Sequence, residues 1–277
     1  MDYPTVQQLF DLSGQTALVT GGARNLGFDM ALALAEAGAD VVITSRTLAN
    51  ARKSASLIAE RTGRRILPLE LDVCEEEQAS AAIDACLAEF GKLDILVNNA
   101  GNVASKPGTA HLEERSLEDW MDCITANLTG TFLCSKHATG KAMIPACKGN
   151  IVNLGSITGV IGKDRRVYEG TPMGGTTVDY HAAKGGIIAM TRDMACYLAP
   201  YNIRVNAIAP GFFRTDMMAY IEKPEFKAAH DAIVASIPLR RVGDTDDMKA
   251  VAVFLASDAS AYVTGHVLLN DGGLLAK

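Results

Sequence analysis

The chain has 277 residues, 48% of them apolar and 21% charged, and carries a net charge of −6 at neutral pH. That is enough apolar chain to bury a sizeable core, in one large α/β domain or two small ones. The acidic balance excludes the basic footprint of a nucleic-acid binder, and no run of about 18 apolar residues offers a membrane span.

Residues 1–12 lack the basic stretch and apolar core of a signal peptide. A first strand is expected over 16–20 (TALVT), then a helix over 26–37 ended by Gly38. Strands at 40–44 and 66–71 alternate with helices at 48–62 and 75–90. The acidic run Glu75-Glu76-Glu77 sits where the last of these begins and suits its positive dipole end. A strand opens at 95–97, a long helix spans 117–139, and a further strand covers 150–154. Then follow a helix over 180–198, a strand over 203–208, a helix over 245–257 and a short last strand at 267–269. Continuous apolar strands separated by helical patterns imply a parallel sheet covered on both faces. Right-handed crossovers make it doubly wound. The expected fold is therefore a single-domain, Rossmann-like α/β unit over 1–277 with about seven strands. Two segments break the rhythm, 157–179 and 212–239. Both follow strand ends, where such sheets bind ligands, so both are expected to be substrate loops.

The first strand runs into Thr20-Gly21-Gly22-Ala23-Arg24-Asn25-Leu26-Gly27 and a helix follows. Glycines allow backbone to approach a pyrophosphate, and the helix N-terminus offers it amide donors. The second strand ends Thr44-Ser45-Arg46-Thr47, without the carboxylate that binds ribose hydroxyls. Arg46 and Arg24 instead suit a 2′-phosphate, which favours NADP over NAD, with NAD still possible. Tyr180 and Lys184 stand at i and i+4, on one helix face. An ammonium beside a phenol favours the phenolate and brings tyrosine toward the range of acid–base work. No His, Asp and Glu residues have metal-ligand spacing, so no metal is expected. The six cysteines, Cys74, Cys86, Cys123, Cys134, Cys147 and Cys196, form no Cys-x-x-Cys pair. Reduced thiols in a cytoplasmic protein are the expectation.

Together these motifs resemble the short-chain dehydrogenase/reductase family over nearly the whole chain. The Gly-rich turn matches its Thr-Gly-x-x-x-Gly-x-Gly pattern, with Asn25 at the middle glycine. Leu71-Asp72-Val73, Asn98-Asn99-Ala100-Gly101, Asn127, Ser156, Tyr180-x-x-x-Lys184 and Pro210-Gly211 follow in the family's order. The resemblance implies that Tyr180 exchanges the proton, and that Lys184 lowers its pKa and binds the nicotinamide ribose. It implies that Ser156 holds the reacting oxygen and that Asn127 holds a water in the proton relay. Cofactor contacts are implied for Gly21, Arg24, Asn25, Leu26, Gly27 and Arg46, and for Asp72, Val73, Asn99, Ala100 and Gly101. At the carboxamide end they are implied for Pro210, Gly211, Phe213 and Thr215. A homotetramer is implied as well.

Ser156 and Tyr180 are 24 positions apart, more than most family members allow. The extra stretch is polar, and Arg165 or Arg166 is expected to meet an anionic or hydroxyl-rich small-molecule substrate. The opening at 9–20, the ending at 265–274 and the stretch 168–173 resemble gluconate 5-dehydrogenases and members acting on sugar acids. The implied reaction interconverts a secondary alcohol and a ketone on a sugar, sugar acid or polyol. A 3-oxoacyl thioester reductase is the alternative enzyme. A cofactor-sensing or scaffold protein on the same fold is the alternative without catalysis.

Overall fold

The computed structural model of the chain describes residues 3–102, 111–168, 175–216 and 223–277. Seven strands form one parallel sheet: β1 (Thr16–Val19), β2 (Asp40–Ser45), β3 (Ile66–Glu70), β4 (Ile95–Asn98), β5 (Gly149–Leu154), β6 (Ile203–Pro210) and β7 (Val267–Asn270). Their spatial order is β3-β2-β1-β4-β5-β6-β7. The apolar strands still alternate across the sheet, as a pleat demands. Ala17 and Val19, Val41 and Ile43, and Ile95 and Val97 enter one core, with α2 (Asn25–Glu36), α3 (Leu48–Thr62) and α10 (Lys249–Ala256). Leu18, Val42, Leu96 and Ile151 enter the other, with α4 (Glu76–Phe90), α6 (Gly130–Ala138) and α8 (Val178–Leu198). Each fully buried Leu, Ile or Val adds about 1.5–3 kcal/mol to the driving force for closing these layers.

The long helix expected at 117–139 runs further. It comprises α5 (Leu117–Ile124), a π-turn (Thr125–Thr129), α6, a second π-turn (Thr139–Met143) and α7 (Ile144–Ala146). The helix expected at 245–257 opens with a 3-10 turn (Thr245–Met248) carrying a capping box, and becomes α10. Two helices were not anticipated. Thr5 caps α1 (Val6–Phe10) through a capping box with Gln8. Within 212–239, expected as a loop, α9 (Lys227–Ser236) forms because Phe226, Ala229, Ile233 and Ile237 bury one stripe. The other expected loop contains 3-10 turns at Ile157–Gly159 and Arg165–Tyr168. Residues 169–174 and 217–222 of these two segments lie outside the described residues. None of the six cysteines is disulfide-bonded. Among the described residues, no helix is long and apolar enough to cross a membrane.

One buried ion pair joins two of the site-bearing helices. Arg115, just before α5, donates from Nε to Asp179 Oδ2 at 3.0 Å and again from Nη2. The two side chains are 3% and 0% exposed. Removing one partner of such a pair leaves an uncompensated charge. Arg115→Ala is expected to cost about 3–5 kcal/mol of stability, read as a lowered urea midpoint by circular dichroism. A midpoint equal to wild type would show that the pair contributes nothing.

Candidate active site

β1 and β4 lie side by side, yet the chain leaves β1 toward β2 on one side and enters β4 on the other. The crevice beyond their C-terminal ends is where open parallel sheets take ligands. Thr20, at the end of β1, holds its two rims together. Its hydroxyl donates to Val97 O at 3.3 Å and accepts from the amides of Asn99 and Ala100, both at 3.0 Å. Asn99 Nδ2 returns two bonds, to Thr20 O at 2.9 Å and Gly21 O at 3.1 Å. Gly27 is required by this closure, since a Cβ there would lie 2.4 Å from both Gly21 O and Asn99 Nδ2. Asn25 adopts φ 51, the left-handed backbone that the glycine-to-asparagine exchange demands.

A nicotinamide dinucleotide fits this crevice. Helix α2 starts at Arg24 with no side-chain cap, so its first amides are available to a phosphate. Arg24 and Arg46 are exposed cations on the turns after β1 and β2. Arg46 lies near enough to Cys74 to act on its thiol, which puts it beside the Asp72–Val73 turn. Asp72 caps that turn by accepting from the Cys74 amide at 3.0 Å. Arg24 and Asn25 also hold Asp216, six residues past β6, at 3.4 and 3.1 Å. The strand end at Pro210-Gly211 is braced by β7, and Phe213 is buried against Gly243.

The residues assigned to proton transfer converge at the ends of β4 and β5. Ser156 lies close enough to Tyr180 for its hydroxyl to act on the phenol. Ser156 Oγ accepts from the Thr158 amide at 3.2 Å, because it caps the 3-10 turn that follows β5. Lys184 is 5% exposed and donates from Nζ to Leu154 O at 2.8 Å. Asn127 sits in the first π-turn, a distortion common at functional sites. Its Nδ2 donates to Asn102 O at 2.7 Å and Cys123 O at 2.9 Å. Those bonds fix its Oδ1 on the opposite side, buried and without a protein donor. Gly101 makes this possible: a Cβ there would lie 2.4 Å from Asn127 Oδ1 and 3.8 Å from Lys184 Nζ.

The electrostatics differ from the expectation that Lys184 lowers the Tyr180 pKa. Lys184 Nζ lies 5.5 Å from the centroid of the Tyr180 ring, turned toward Leu154 O. Burial raises the Tyr180 phenol above its ordinary value and Cys123 adds to this, while the nearby Ser156 hydroxyl opposes it. Burial likewise pushes Lys184 down to about 8. The phenol is thus held protonated, as a proton donor to a carbonyl oxygen must be.

Some supports were not anticipated. Asn98 Nδ2 donates to Ser135 Oγ and Asn153 Oδ1, both at 2.9 Å, and Asn153 Nδ2 donates to Thr191 Oγ1 at 2.9 Å. This buried ladder joins β4, β5, α6 and α8. Asparagine inside an apolar strand is its sequence signal. Of the expected substrate residues, Arg165 is exposed, and Arg166 is 82% exposed with its guanidinium on Asp164 at 2.9 and 2.7 Å. Among the described residues, no group of three or more His, Cys, Asp or Glu side chains is placed to hold a metal ion.

The family model described as Enoyl-(Acyl carrier protein) reductase matches residues 21–275. The chain is 35% identical over 268 residues to a 2-dehydro-3-deoxy-D-gluconate 5-dehydrogenase of Formosa agariphila, covering 97% of this chain and 95% of the relative. It is 38% identical over 268 residues to a 3-oxoacyl-[acyl-carrier-protein] reductase of Chlamydia trachomatis, covering 95% and 98%. A gluconate 5-dehydrogenase of Burkholderia cenocepacia, solved in complex with NADP and tartrate, superposes with a TM-score of 0.87 at 33% identity, covering 99% of this chain and all (100%) of that one. The motifs, the sheet order, the convergent Ser156, Tyr180, Lys184 and Asn127, and these likenesses agree: the chain is an oxidoreductase of the short-chain dehydrogenase/reductase family.

Proposed function

We propose that the protein interconverts a secondary alcohol and a ketone on a sugar acid, with NADP(H) as its preferred cofactor. The observation that carries the chemistry is the convergence of Ser156 and Tyr180, close enough for the serine to act on the phenol, beside the buried Lys184. The bound nicotinamide supplies or accepts the hydride. Ser156 holds the reacting oxygen, and Tyr180, kept protonated by its surroundings, delivers the proton to it in the reducing direction. Lys184 binds the ribose hydroxyls from its anchor on Leu154. The Oδ1 of Asn127 faces the same space and accepts from a water or ribose donor. In this reading Gly21, Leu26, Gly27, Asp72, Val73, Asn99, Ala100, Gly101, Pro210, Gly211, Phe213 and Thr215 line the cofactor. Arg24 and Arg46 receive the 2′-phosphate.

The substrate class is supported by the relatives, two of which are named for gluconate-type sugar acids. The likeness to the Chlamydia reductase favours acyl thioesters as a second reading. Retention of all four proton-transfer residues argues against a non-catalytic sensor. We further propose a cytoplasmic homotetramer. Leu117, Met121 and Phe132 along the α5–α6 run and Tyr197 on α8 are exposed apolar side chains that another copy would cover. The 272–277 tail would lie near such a contact. A panel of keto-acids, ketoses and acyl thioesters, followed by NADPH absorbance, tests the substrate class. Turnover confined to thioesters overturns the sugar-acid reading.

Tyr180→Phe removes the proton donor and keeps the ring. Turnover is expected to fall by about 10²–10⁴-fold, with NADPH affinity close to wild type; near-normal turnover would remove Tyr180 from its role. Arg46→Ala and Arg24→Ala are each expected to reduce the preference for NADPH over NADH by roughly tenfold, as lost charge-assisted phosphate contacts. Fluorescence titration with both cofactors measures this, and equal wild-type affinities would refute it.

Burial also makes Lys184 a stability cost with a definite pH window. Its folded value of about 8 lies below its ordinary 10.5, so the unfolded chain holds a proton that the folded chain releases between the two. The penalty on folding is full below about 8 and fades as the pH rises to about 10.5. Lys184→Met is therefore expected to be inactive yet more resistant to urea near pH 7, with the advantage shrinking toward about pH 10. A stability difference that stays constant over that range would show that the ammonium is not penalised.

A further inference from the structure

Residue 25 is the middle position of the Gly-rich turn, where the family pattern has glycine and this chain has asparagine. Its left-handed backbone, φ 51, is one that glycine adopts freely. Asparagine therefore gives the backbone nothing that glycine lacks, and what it adds is a carboxamide. That carboxamide meets Asp216 in both directions. Asn25 Nδ2 donates to Asp216 Oδ2 at 3.1 Å, and the Asp216 amide donates to Asn25 Oδ1 at 3.3 Å. The Arg24 guanidinium stands 3.4 Å from the same carboxylate, but the two side chains are 71% and 68% exposed. An ion pair that open to water contributes little, so the contact rests on the asparagine.

Topology makes this contact a long-range one. Asn25 opens α2 directly after the turn that follows β1, and Asp216 lies six residues past β6. In the sheet, β4 and β5 stand between β1 and β6. Three strand spacings amount to about 14 Å, and six extended residues reach about 20 Å. The segment therefore covers the width occupied by the ends of β4 and β5 with little slack. It is tied down on the way. The Gly211 amide donates to Asn270 O at 2.9 Å, Phe212 O accepts from the Gly243 amide at 2.8 Å, and the Arg214 amide donates to Gly243 O at 2.8 Å. Thr215 is the one residue between that ladder and Asp216. The contact thus joins two parts of the cofactor crevice that the fold brings from opposite sides: the turn suited to the pyrophosphate and the segment assigned to the carboxamide end.

We propose that Asp216 is a positioning residue for the dinucleotide: clasped to Asn25, it holds Thr215 and the phosphate turn together, so that a bound cofactor is enclosed between two tied segments and leaves slowly. This rests on the reading of the crevice as the nicotinamide dinucleotide site. The clasp is made by a carboxamide and a backbone amide, neither of them charged. It therefore acts on the part common to NADPH and NADH, whereas Arg24 and Arg46 are assigned to the 2′-phosphate that distinguishes the two. Release requires the two segments to part, which breaks both hydrogen bonds, and the loss of either partner removes both bonds at once.

The test is the dissociation rate of each reduced cofactor, followed by stopped-flow fluorescence as an excess of its oxidised form displaces it. Asn25→Gly keeps the backbone and removes only the carboxamide. It is expected to speed the release of NADPH and of NADH by a like factor, roughly three- to tenfold. Asp216→Ala should do the same, and the double variant should be no faster than the faster single one, because the two residues make one contact. Asp216→Asn keeps an oxygen that accepts from Asn25 and should restore most of the slow release. A wild-type rate in Asn25→Gly, or a double variant in which the two effects multiply, overturns the inference and leaves the cofactor reading standing. So does slower release of NADPH, but not of NADH, from both Asp216→Ala and Asp216→Asn, which would make the carboxylate a competitor of the 2′-phosphate. Wild-type protein that binds neither dinucleotide overturns the cofactor reading, and this inference with it.

Discussion

A single buried ammonium organises this protein. Lys184 is 5% exposed, and a charge placed there loses hydration that only well-aimed partners replace. The carbonyl of Leu154 supplies one such partner at 2.8 Å. Because Leu154 ends β5, the position of the lysine is referred directly to the sheet. Helix α8 is then pinned along its length: by Asp179 to Arg115, by Lys184 to β5, and by Thr191 to Asn153. Tyr180 lies between the first two ties, so its ring has little freedom to wander. Preorganisation of this kind is what positions a proton donor before the substrate arrives.

The same economy governs the cofactor edge. Thr20 and Asn99 tie the turn after β1 to the turn after β4 through five short-range bonds. Thr20 and Asn99 thereby satisfy each other's turn, while the first amides of α2 carry no side-chain cap. Asp216 reaches this rim from beyond β6 through Arg24 and Asn25. The segment that follows β6 is therefore connected to the turn after β1.

The segments that follow β5 and β6 are built on different physics. These segments contact each other through a cation and an aromatic ring. Such a contact tolerates sliding better than a buried ladder of asparagines does. The contrast separates a rigidly tied centre from segments held by a looser contact.

Much of this was legible in the chain. Period and punctuation located the seven strands, and glycine, Tyr-x-x-x-Lys and Pro-Gly spacing located the cleft, because those signals are local. Asn25 takes left-handed backbone, which asparagine tolerates better than most residues. Short signals were also available for α1, in the Thr5–Gln8 capping box, and for α9, in the Phe226–Ile237 stripe, but both sat in stretches read as irregular. What tertiary structure alone decided is non-local. Nothing in the sequence joins Arg115 to Asp179 across 64 positions, turns Lys184 toward Leu154, or lays Lys163 on Phe212. The sign of the Tyr180 shift was missed for the same reason. An i, i+4 spacing says that a lysine and a tyrosine share a face, whereas the pKa depends on how deeply the pair is buried and which carbonyl the ammonium chooses.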